Sequence, residues 1–208
     1  KTKTKIDTTV NSILSHNANG CFNTAKSAFY FTRCDSMNNC KLFVSKFNGN
    51  NWNAPTPLPE KINSKKATTT TQPNVGMIDG KEYLFYSSDD VDGFGNLDIY
   101  FVPILDGGTY GKPKNAGKNI NTPDPDITPF YHSKEKVLYL SSSWHNGFGG
   151  FDVCKSGGDI EDLNAPENLL APMNTQWNDF YYTLDSASTR GYLTSNRLGV
   201  LYKKGPTC

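Results

Sequence analysis

The residues best suited to chemistry in this 208-residue chain are three aspartates in one glycine-containing loop. The segment "DDVDGFGNLD" contains Asp90, Asp92 and Asp98, and carboxylate and carbonyl oxygens are the ligands that Ca²⁺ prefers. The segment lacks the spacing and the terminal glutamate of an EF-hand, and the related loop "HNGFGGFD" keeps only Asp152. We therefore treat Asp90, Asp92 and Asp98 as calcium candidates, and we predict no other metal site and no cofactor.

Five cysteines are many for a cytosolic domain of this size and indicate disulfide bonds. Cys34 and Cys40 flank the loop "DSMNN" between two predicted antiparallel strands, which is within disulfide reach. Cys21 and Cys208 would meet on one face of the fold and fasten the chain end there. Cys154 lies within a strand, where we expect a free buried thiol. Zinc is not expected, since no Cys-x-x-Cys motif occurs and the histidines are scattered.

A repeated segment must position these residues. The stretches "FYFTRC", "LFYSSD", "LYLSSS" and "GYLTSN" align, and their equivalent residues recur at a nearly constant spacing: Thr32, Ser87, Ser141 and Thr194. A second marker keeps the same period, because the asparagines of "INS", "INT" and "MNT" each follow a proline at one fixed distance. Two independent markers with one period identify a repeat protein.

Each repeat contains four short stretches in which apolar and polar residues alternate, separated by Gly, Asn, Asp and Pro. This pattern predicts an all-β fold, a small β-propeller of four-stranded antiparallel blades. We predict one domain over residues 1–208 with four blades, and five blades as the alternative. The predicted blades cover about 10–60, 68–118, 125–171, and 177–208 together with 1–9. In the last blade, Lys3–Thr9 would supply the closing N-terminal strand.

The connections between second and third strands are predicted to gather at one end of the ring. In the structural interpretation, the glycines of Gly-Phe-Gly permit a tight turn, while Asp98 and Asp152 accept local backbone hydrogen bonds. In the functional interpretation, these loops form a contact surface, because loops on a rigid scaffold often carry binding residues. The protein-binding candidates are Phe94, Trp144, His145, Phe148, Asp124, Asp126, Trp177 and Asp179.

The stretches predicted to line a central channel offer no glutamate for the acid pair of a glycosidase. Glycosidases use two carboxylates that flank the bond, but "NSILSHNAN", "QPNVGMID", "DITPFYHS" and "NDFYYTLD" contain no glutamate. No Gly-x-Ser-x-Gly motif of a serine hydrolase occurs either. We therefore predict no catalytic residues. Binding of small glycans or peptides in the channel, through Tyr131, His132, Tyr181 and Tyr182, is the alternative function, ahead of a glycosidase.

Charge and hydropathy argue against two classes of partner. The net charge is +1, from 21 basic and 20 acidic residues, so no strong field attracts nucleic acid or an anionic membrane. No apolar run reaches the length of a membrane span, so direct membrane insertion is not expected. The initial residues "KTKTKIDTT" are typical of a piece of a longer protein.

The segment "INTPDPDITPFYHSKEKVLYLSSSWHNGFGGFDV" resembles the WD40-like, TolB-related PD40 repeat, and "YFTRCDSMNNC" and the W-x-x-P motif at Trp52 are similar to it. The form that this chain resembles occurs in OmpA-family lipoproteins of Bacteroidetes. The resemblance implies a non-enzymatic protein-interaction scaffold of a cell-envelope assembly, related to type IX secretion, with other envelope or secretion-system proteins as partners. It also implies a periplasmic location, outer-membrane association through the parent lipoprotein, and peptidoglycan attachment only through a domain absent from this chain.

The same resemblance raises the question of modification. Periplasmic O-glycosylation in Bacteroidetes is associated with Asp followed by Ser or Thr and a small or apolar residue, as in "DSM" and "DSA". We therefore expect Ser36 and Ser186 as O-glycosylation candidates, since both lie in predicted turns where a bulky glycan fits.

Overall fold

Short antiparallel sheets, each formed by one repeat, make up the fold in the computed structural model, which describes residues 10–11 and 15–198. Aromatic and β-branched residues alternate with polar ones along the strands, as a half-buried pleated strand requires. The predicted all-β architecture is confirmed. Over the described ranges, no helix combines the length and the apolar character needed to cross a membrane.

The first sheet has four antiparallel strands in chain order: β1 (His16–Phe22), β2 (Ala28–Cys34), β3 (Cys40–Lys46) and β4 (Thr56–Pro57). The innermost strand β1 begins later than the predicted stretch "NSILSHNAN". The pairing of β1 with β2 shifts its register next to Gly20. A Cβ at this position would come within 2.6 Å of the Phe29 ring, so only glycine fits at this contact.

The second sheet repeats this order with β5 (Thr70–Ile78), β6 (Lys81–Ser88) and β7 (Asp98–Leu105). A 3-10 turn, Asp106–Gly108, follows β7. The outer edge is formed by two short strands that both pair with β7, namely β8 (Thr109–Tyr110) and β9 (Lys114–Asn115).

The third sheet contains β10 (Asp126–His132), β11 (Val137–Ser142) and β12 (Asp152–Ser156). A two-stranded ribbon, β13 (Gly158–Asp159) and β14 (Asp162–Leu163), leads to the outer strand of the sheet, β15 (Glu167–Asn168).

Two strands of the fourth sheet are described, β16 (Asp179–Leu184) and β17 (Gly191–Ser195). The strand β17 contains most of the repeated segment "GYLTSN". The predicted closing strand Lys3–Thr9 lies outside the described residues, as does the chain end that it was predicted to meet.

In the first three sheets, the marker asparagines of the repeats anchor the third strand to the connection that follows it. Asn121 accepts a hydrogen bond from the Ile99 N–H (2.7 Å) and donates to the Ile99 carbonyl (2.9 Å). Asn63 makes the same pair of bonds with Leu42, and Asn174 makes it with Val153. An amide side chain carries both a donor and an acceptor, which explains why asparagine recurs here.

Apolar side chains fill the spaces between neighbouring sheets. Between the second and third sheets, the fully buried Phe85 stacks on Tyr131 with ring centroids 5.2 Å apart. Leu42 and Tyr86 belong to the cluster between the first and second sheets, and Tyr139 packs on Tyr182 between the third and fourth. Burial of large aromatic surface at each of these interfaces holds consecutive sheets together.

The predicted disulfide between Cys34 and Cys40 is present and closes the turn between β2 and β3. Cys154 is a buried free thiol, as predicted. Within the described residues Cys21 has no disulfide partner, and burial raises the pKa of its thiol to about 12. Its predicted partner Cys208 lies outside the described residues.

We expect the Cys34→Ser/Cys40→Ser double variant to lose about 2 kcal/mol of unfolding free energy. The two cysteines are only 6 residues apart, so the bond removes little loop entropy from the unfolded chain. Urea denaturation of the oxidised protein and of the variant measures this difference. Adding a reductant should destabilise the wild type and leave the variant unchanged; an equal loss in both would contradict the assignment.

Candidate ligand-binding channel

The innermost strands of the four sheets share an irregularity at equivalent positions. In each strand the pairing register shifts, between Ala18 and Gly20 in β1 and at the corresponding places in β5, β10 and β16. Three of the residues at these shifts have left-handed φ angles: Gln72 (57°), Thr128 (54°) and Tyr181 (55°). Such angles are uncommon for residues other than glycine and cluster at functional sites, and a bulge re-aims the side chain it carries.

The residues at these shifts are joined by hydrogen bonds and form what we call the axial ring: Asn19, Gln72, Thr128 and Tyr181. Thr128 takes part through its backbone N–H, since its hydroxyl donates to Ser141 (2.9 Å). The Gln72 amide oxygen accepts a hydrogen bond from the Thr128 N–H (2.9 Å), and its amide nitrogen donates to the Tyr181 hydroxyl (3.3 Å). Asn19 also donates to the Tyr181 hydroxyl. This last bond joins the first sheet to the fourth, so the axial ring connects all four repeats.

The hydroxyl of Tyr181 keeps a proton to donate. Burial raises its pKa, and the hydrogen bonds from Gln72 and Asn19 only partly offset that effect, so the hydroxyl is neutral at physiological pH. The oxygen accepts from two amides, and within the described residues its proton has no acceptor. A phenol in this arrangement can donate its hydrogen bond to a ligand.

A cavity of about 210 Å³ adjoins the axial ring and extends toward the turns at 23–27, 79–80, 133–136 and 185–190, which we call the hairpin end. Thr183 lies on this side and is exposed to solvent. The described lining carries amides, hydroxyls, a thiol and aromatic rings, and contains no carboxylate and no ammonium group. The lining residues are Asn19, Gly20, Cys21, Gln72, Pro73, Asn74, Thr128, Pro129, Phe130, Tyr181, Tyr182 and Thr183.

Two of the four tyrosine and histidine candidates for the channel line this cavity, namely Tyr181 and Tyr182. Tyr131 instead stacks on Phe85 in the core between the second and third sheets. His132 is buried, and its Nδ1 accepts a hydrogen bond from the Glu135 N–H (3.2 Å). Its Nε2 therefore carries the proton and donates to the Asp185 carbonyl (3.0 Å), which connects the third and fourth sheets.

The loops predicted to form a contact surface lie at the opposite end, which we call the loop end. Phe94, Trp144 and Phe148 are exposed there, at 51%, 59% and 55% of their surface. The His145 ring is held by a hydrogen bond between its Nε2 and the Ile120 carbonyl (3.0 Å). These exposed aromatic residues are separated from the channel cavity, since the cavity extends away from the loop end.

Asp126 and Asp179 are fully buried, so the structure corrects their prediction as contact-surface residues. Asp126 accepts hydrogen bonds from the N–H (2.6 Å) and hydroxyl (2.8 Å) of Thr122, and Asp179 accepts the same pair from Thr175. Each carboxylate therefore fixes the chain where an innermost strand begins, β10 for Asp126 and β16 for Asp179. The other two candidates of this group, Asp124 and Trp177, are half-buried in the same connections.

The three calcium candidates have other partners. Asp98 accepts hydrogen bonds from the Phe94 N–H (2.5 Å) and the Asn115 amide (2.9 Å), and Asp92 pairs with Lys66 (2.6 Å). Asp90 accepts from the Asp92 N–H. In the part of the chain that the structure describes, no three His, Cys, Asp or Glu side chains are grouped to hold a metal ion.

Asp98 and Asp152 have the local role that the structural interpretation gave them. Asp152 accepts hydrogen bonds from the N–H groups of Phe148 (2.8 Å) and Gly149 (3.0 Å), as Asp98 does from Phe94. The carboxylate fixes the turn just before the third strand, which explains why the Gly-Phe-Gly and Asp pattern occurs twice. The glycosylation candidates Ser36 and Ser186 are both exposed in turns, and their modification stays a prediction.

No protein-family model matches the chain, and no curated protein matches its sequence. The solved structures show that the fold is a β-propeller. A thermostable family-43 glycoside hydrolase superposes with a TM-score of 0.51 at 12% identity, over 85% of this chain and 63% of the hydrolase. A puromycin-hydrolysing peptidase of Mycobacterium tuberculosis gives 0.52 at 13% identity, over 84% of this chain and 27% of the peptidase. A family-117 glycoside hydrolase from Zobellia galactanivorans gives 0.49 at 12% identity, over 95% and 70%.

These similarities correct the predicted function, a non-enzymatic protein-interaction scaffold of an envelope assembly. The two reported structures with TM-scores above 0.5 are hydrolases, so the fold is one that enzymes use, and the similarity gives no support to a scaffold role. The physical reason lies in the repeat itself. Its markers, such as Asn121 and Asp152, bond to backbone groups inside each blade and therefore identify a blade, not a docking surface.

Proposed function

We propose that this chain is the glycan-recognising propeller of a carbohydrate-active protein and that it binds a neutral sugar in the channel cavity. The observation that carries the proposal is the uncharged lining beside the axial ring, where the Tyr181 hydroxyl has a proton to donate. Sugars present many hydroxyl groups, and amide and hydroxyl side chains are the uncharged groups that donate to and accept from them.

The walls of the cavity suit the parts of a sugar that carry no hydroxyl group. Pro73 and Pro129 are conformationally restricted, and the half-buried Phe130 contributes an aromatic ring to the lining. A small number of fixed polar groups set among apolar walls is the usual composition of a small-molecule site. The fold supports the same class of ligand, because a family-43 glycoside hydrolase has a similar propeller.

Titration calorimetry with a panel of neutral monosaccharides and oligosaccharides tests the proposal. We expect saturable binding by at least one neutral sugar, and a loss of affinity of about tenfold in Tyr181→Phe, which removes one donated hydrogen bond. Tyr192→Phe is the matched control, because Tyr192 is 73% exposed and lies outside the lining. Its affinity should equal that of the wild type.

Circular dichroism of both variants confirms that they remain folded. The proposal fails if no neutral sugar binds, or if Tyr181→Phe and Tyr192→Phe bind equally well. Binding of a peptide library in the absence of any sugar binding would also contradict it. The same sugars are incubated with the protein and analysed for cleavage, which measures whether a bound glycan is also processed.

A further inference from the structure

We propose that the channel cavity recognises the end of a glycan chain and not its interior. The proposal rests on the proposed function and adds the class of glycan and the manner of its entry. It follows from three features of the cavity: its closed inner end, its size, and the differences among the residues of the axial ring.

The axial ring closes the inner end of the cavity. Gln72, Tyr181 and Asn19 are joined through the Tyr181 hydroxyl and come from three different sheets. A second hydrogen-bonded layer lies behind them, toward the loop end. There the Thr32 hydroxyl bonds to Asn19 (2.9 Å) and to the Thr71 hydroxyl (3.1 Å), and it accepts from the Gln72 N–H (3.1 Å). These bonds hold Asn19 and Gln72 in place, and a polymer cannot pass along the axis without breaking the axial ring.

The size of the cavity matches a single sugar unit. Pockets for drug-sized ligands occupy roughly 300–1,000 Å³, whereas this cavity has about 210 Å³. A chain that enters from the hairpin end would place its terminal residue against the axial ring. The next residue would then lie at the solvent-exposed side, near Thr183.

The axial ring also differs from the rest of the repeat in its composition. Positions that build the blades hold the same or similar residues, as with Asn63, Asn121 and Asn174. The four positions of the axial ring instead hold Asn, Gln, Thr and Tyr. Equivalent positions here carry different polar groups, of which the side chains of Asn19, Gln72 and Tyr181 meet at one point. This suits a ligand without fourfold symmetry, such as a terminal sugar.

Binding stoichiometry separates the end of a chain from its interior. The probes are linear homo-oligosaccharides of three and ten units, built from the neutral sugar that binds best in the panel. Titration calorimetry should give one protein per chain for both lengths, with dissociation constants within about threefold of each other. The free monosaccharide should compete with both.

Two outcomes would overturn the inference. More than one protein per ten-unit chain would show binding to internal units, and so would an affinity that rises more than tenfold from the short to the long chain. Either result would leave the proposed function standing, since a sugar would still be bound. The absence of binding by every sugar would instead remove the proposed function and this inference together.

Discussion

Replacing Asn121 by alanine should lower the free energy of unfolding by about 3–5 kcal/mol. The side chain is buried and bonds to both backbone groups of Ile99 and to the Asn115 amide oxygen (2.8 Å). Alanine leaves the Ile99 N–H buried and without a partner, which costs about 1–3 kcal/mol. It also removes one of two hydrogen bonds from the Ile99 carbonyl and from the Asn115 amide oxygen, at about 0.5–1.5 kcal/mol each, since these keep the N–H groups of Ala116 and Gly117. Chemical denaturation followed by circular dichroism measures the loss.

Asn51→Ala is the matched control, because Asn51 is exposed and its side chain makes no hydrogen bond to any residue that the structure describes. We expect a change below about 0.5 kcal/mol for this variant. Asn174→Ala should behave like Asn121→Ala, since Asn174 makes equivalent bonds with Val153 and Asn168. A loss under 1 kcal/mol in Asn121→Ala, with the fold retained, would show that these asparagines do not anchor the blades.

Replacing Arg197 by methionine should cost about 3–5 kcal/mol at neutral pH, because it leaves the fully buried Asp179 without its cation. Arg197 lies 2.7 Å from the Asp179 carboxylate, and it also donates to the carbonyls of Pro172 and Met173. These bonds fix the connection that leads into the fourth sheet. Arg190→Met is the control, since Arg190 is an exposed arginine in the turn between the two described strands of the same sheet.

The effect of Arg197→Met should depend on pH. Burial acts to raise the pKa of Asp179, but hydrogen bonds from Ser195, Arg197 and Thr175 outweigh it and hold the pKa below its ordinary value. A carboxylate with a depressed pKa stabilises the folded state above its ordinary pKa, and that stability is lost as the pH falls through the folded value. The difference between wild type and variant should therefore shrink in acid. A difference that grows in acid would contradict the assigned ion pair.

The sequence alone predicted the parts of the fold that use the same residue in successive repeats. The marker asparagines recur because an amide carries its donor and its acceptor on separate atoms and can bond to the N–H and the carbonyl of one residue, and this need is identical in the first three blades. Asp98 and Asp152 recur because each turn needs an acceptor for its N–H groups. The Cys34–Cys40 bond was predictable as well, since a short loop between paired strands leaves the two cysteines opposite each other.

Most residues of the candidate site could not be predicted from the sequence, for two physical reasons. Asn19, Gln72 and Thr128 differ in type, so repeat comparison does not single them out. Their positions also depend on register shifts in the inner strands, and a one-residue shift reverses which side chains face the channel. Of the axial ring, only Tyr181 was expected from the sequence. Asp126 and Asp179 were expected to be exposed, because polar residues near Pro and Asn are typical of exposed loops, but both are buried.

A crystal structure of the protein soaked with the best-binding neutral sugar tests the central claim most directly. The account predicts density for one terminal sugar in the cavity at the hairpin end, with a sugar oxygen within hydrogen-bond distance of the Tyr181 hydroxyl. Density for the sugar against Phe94, Trp144 and Phe148 at the loop end, with the channel cavity unchanged, would contradict the account.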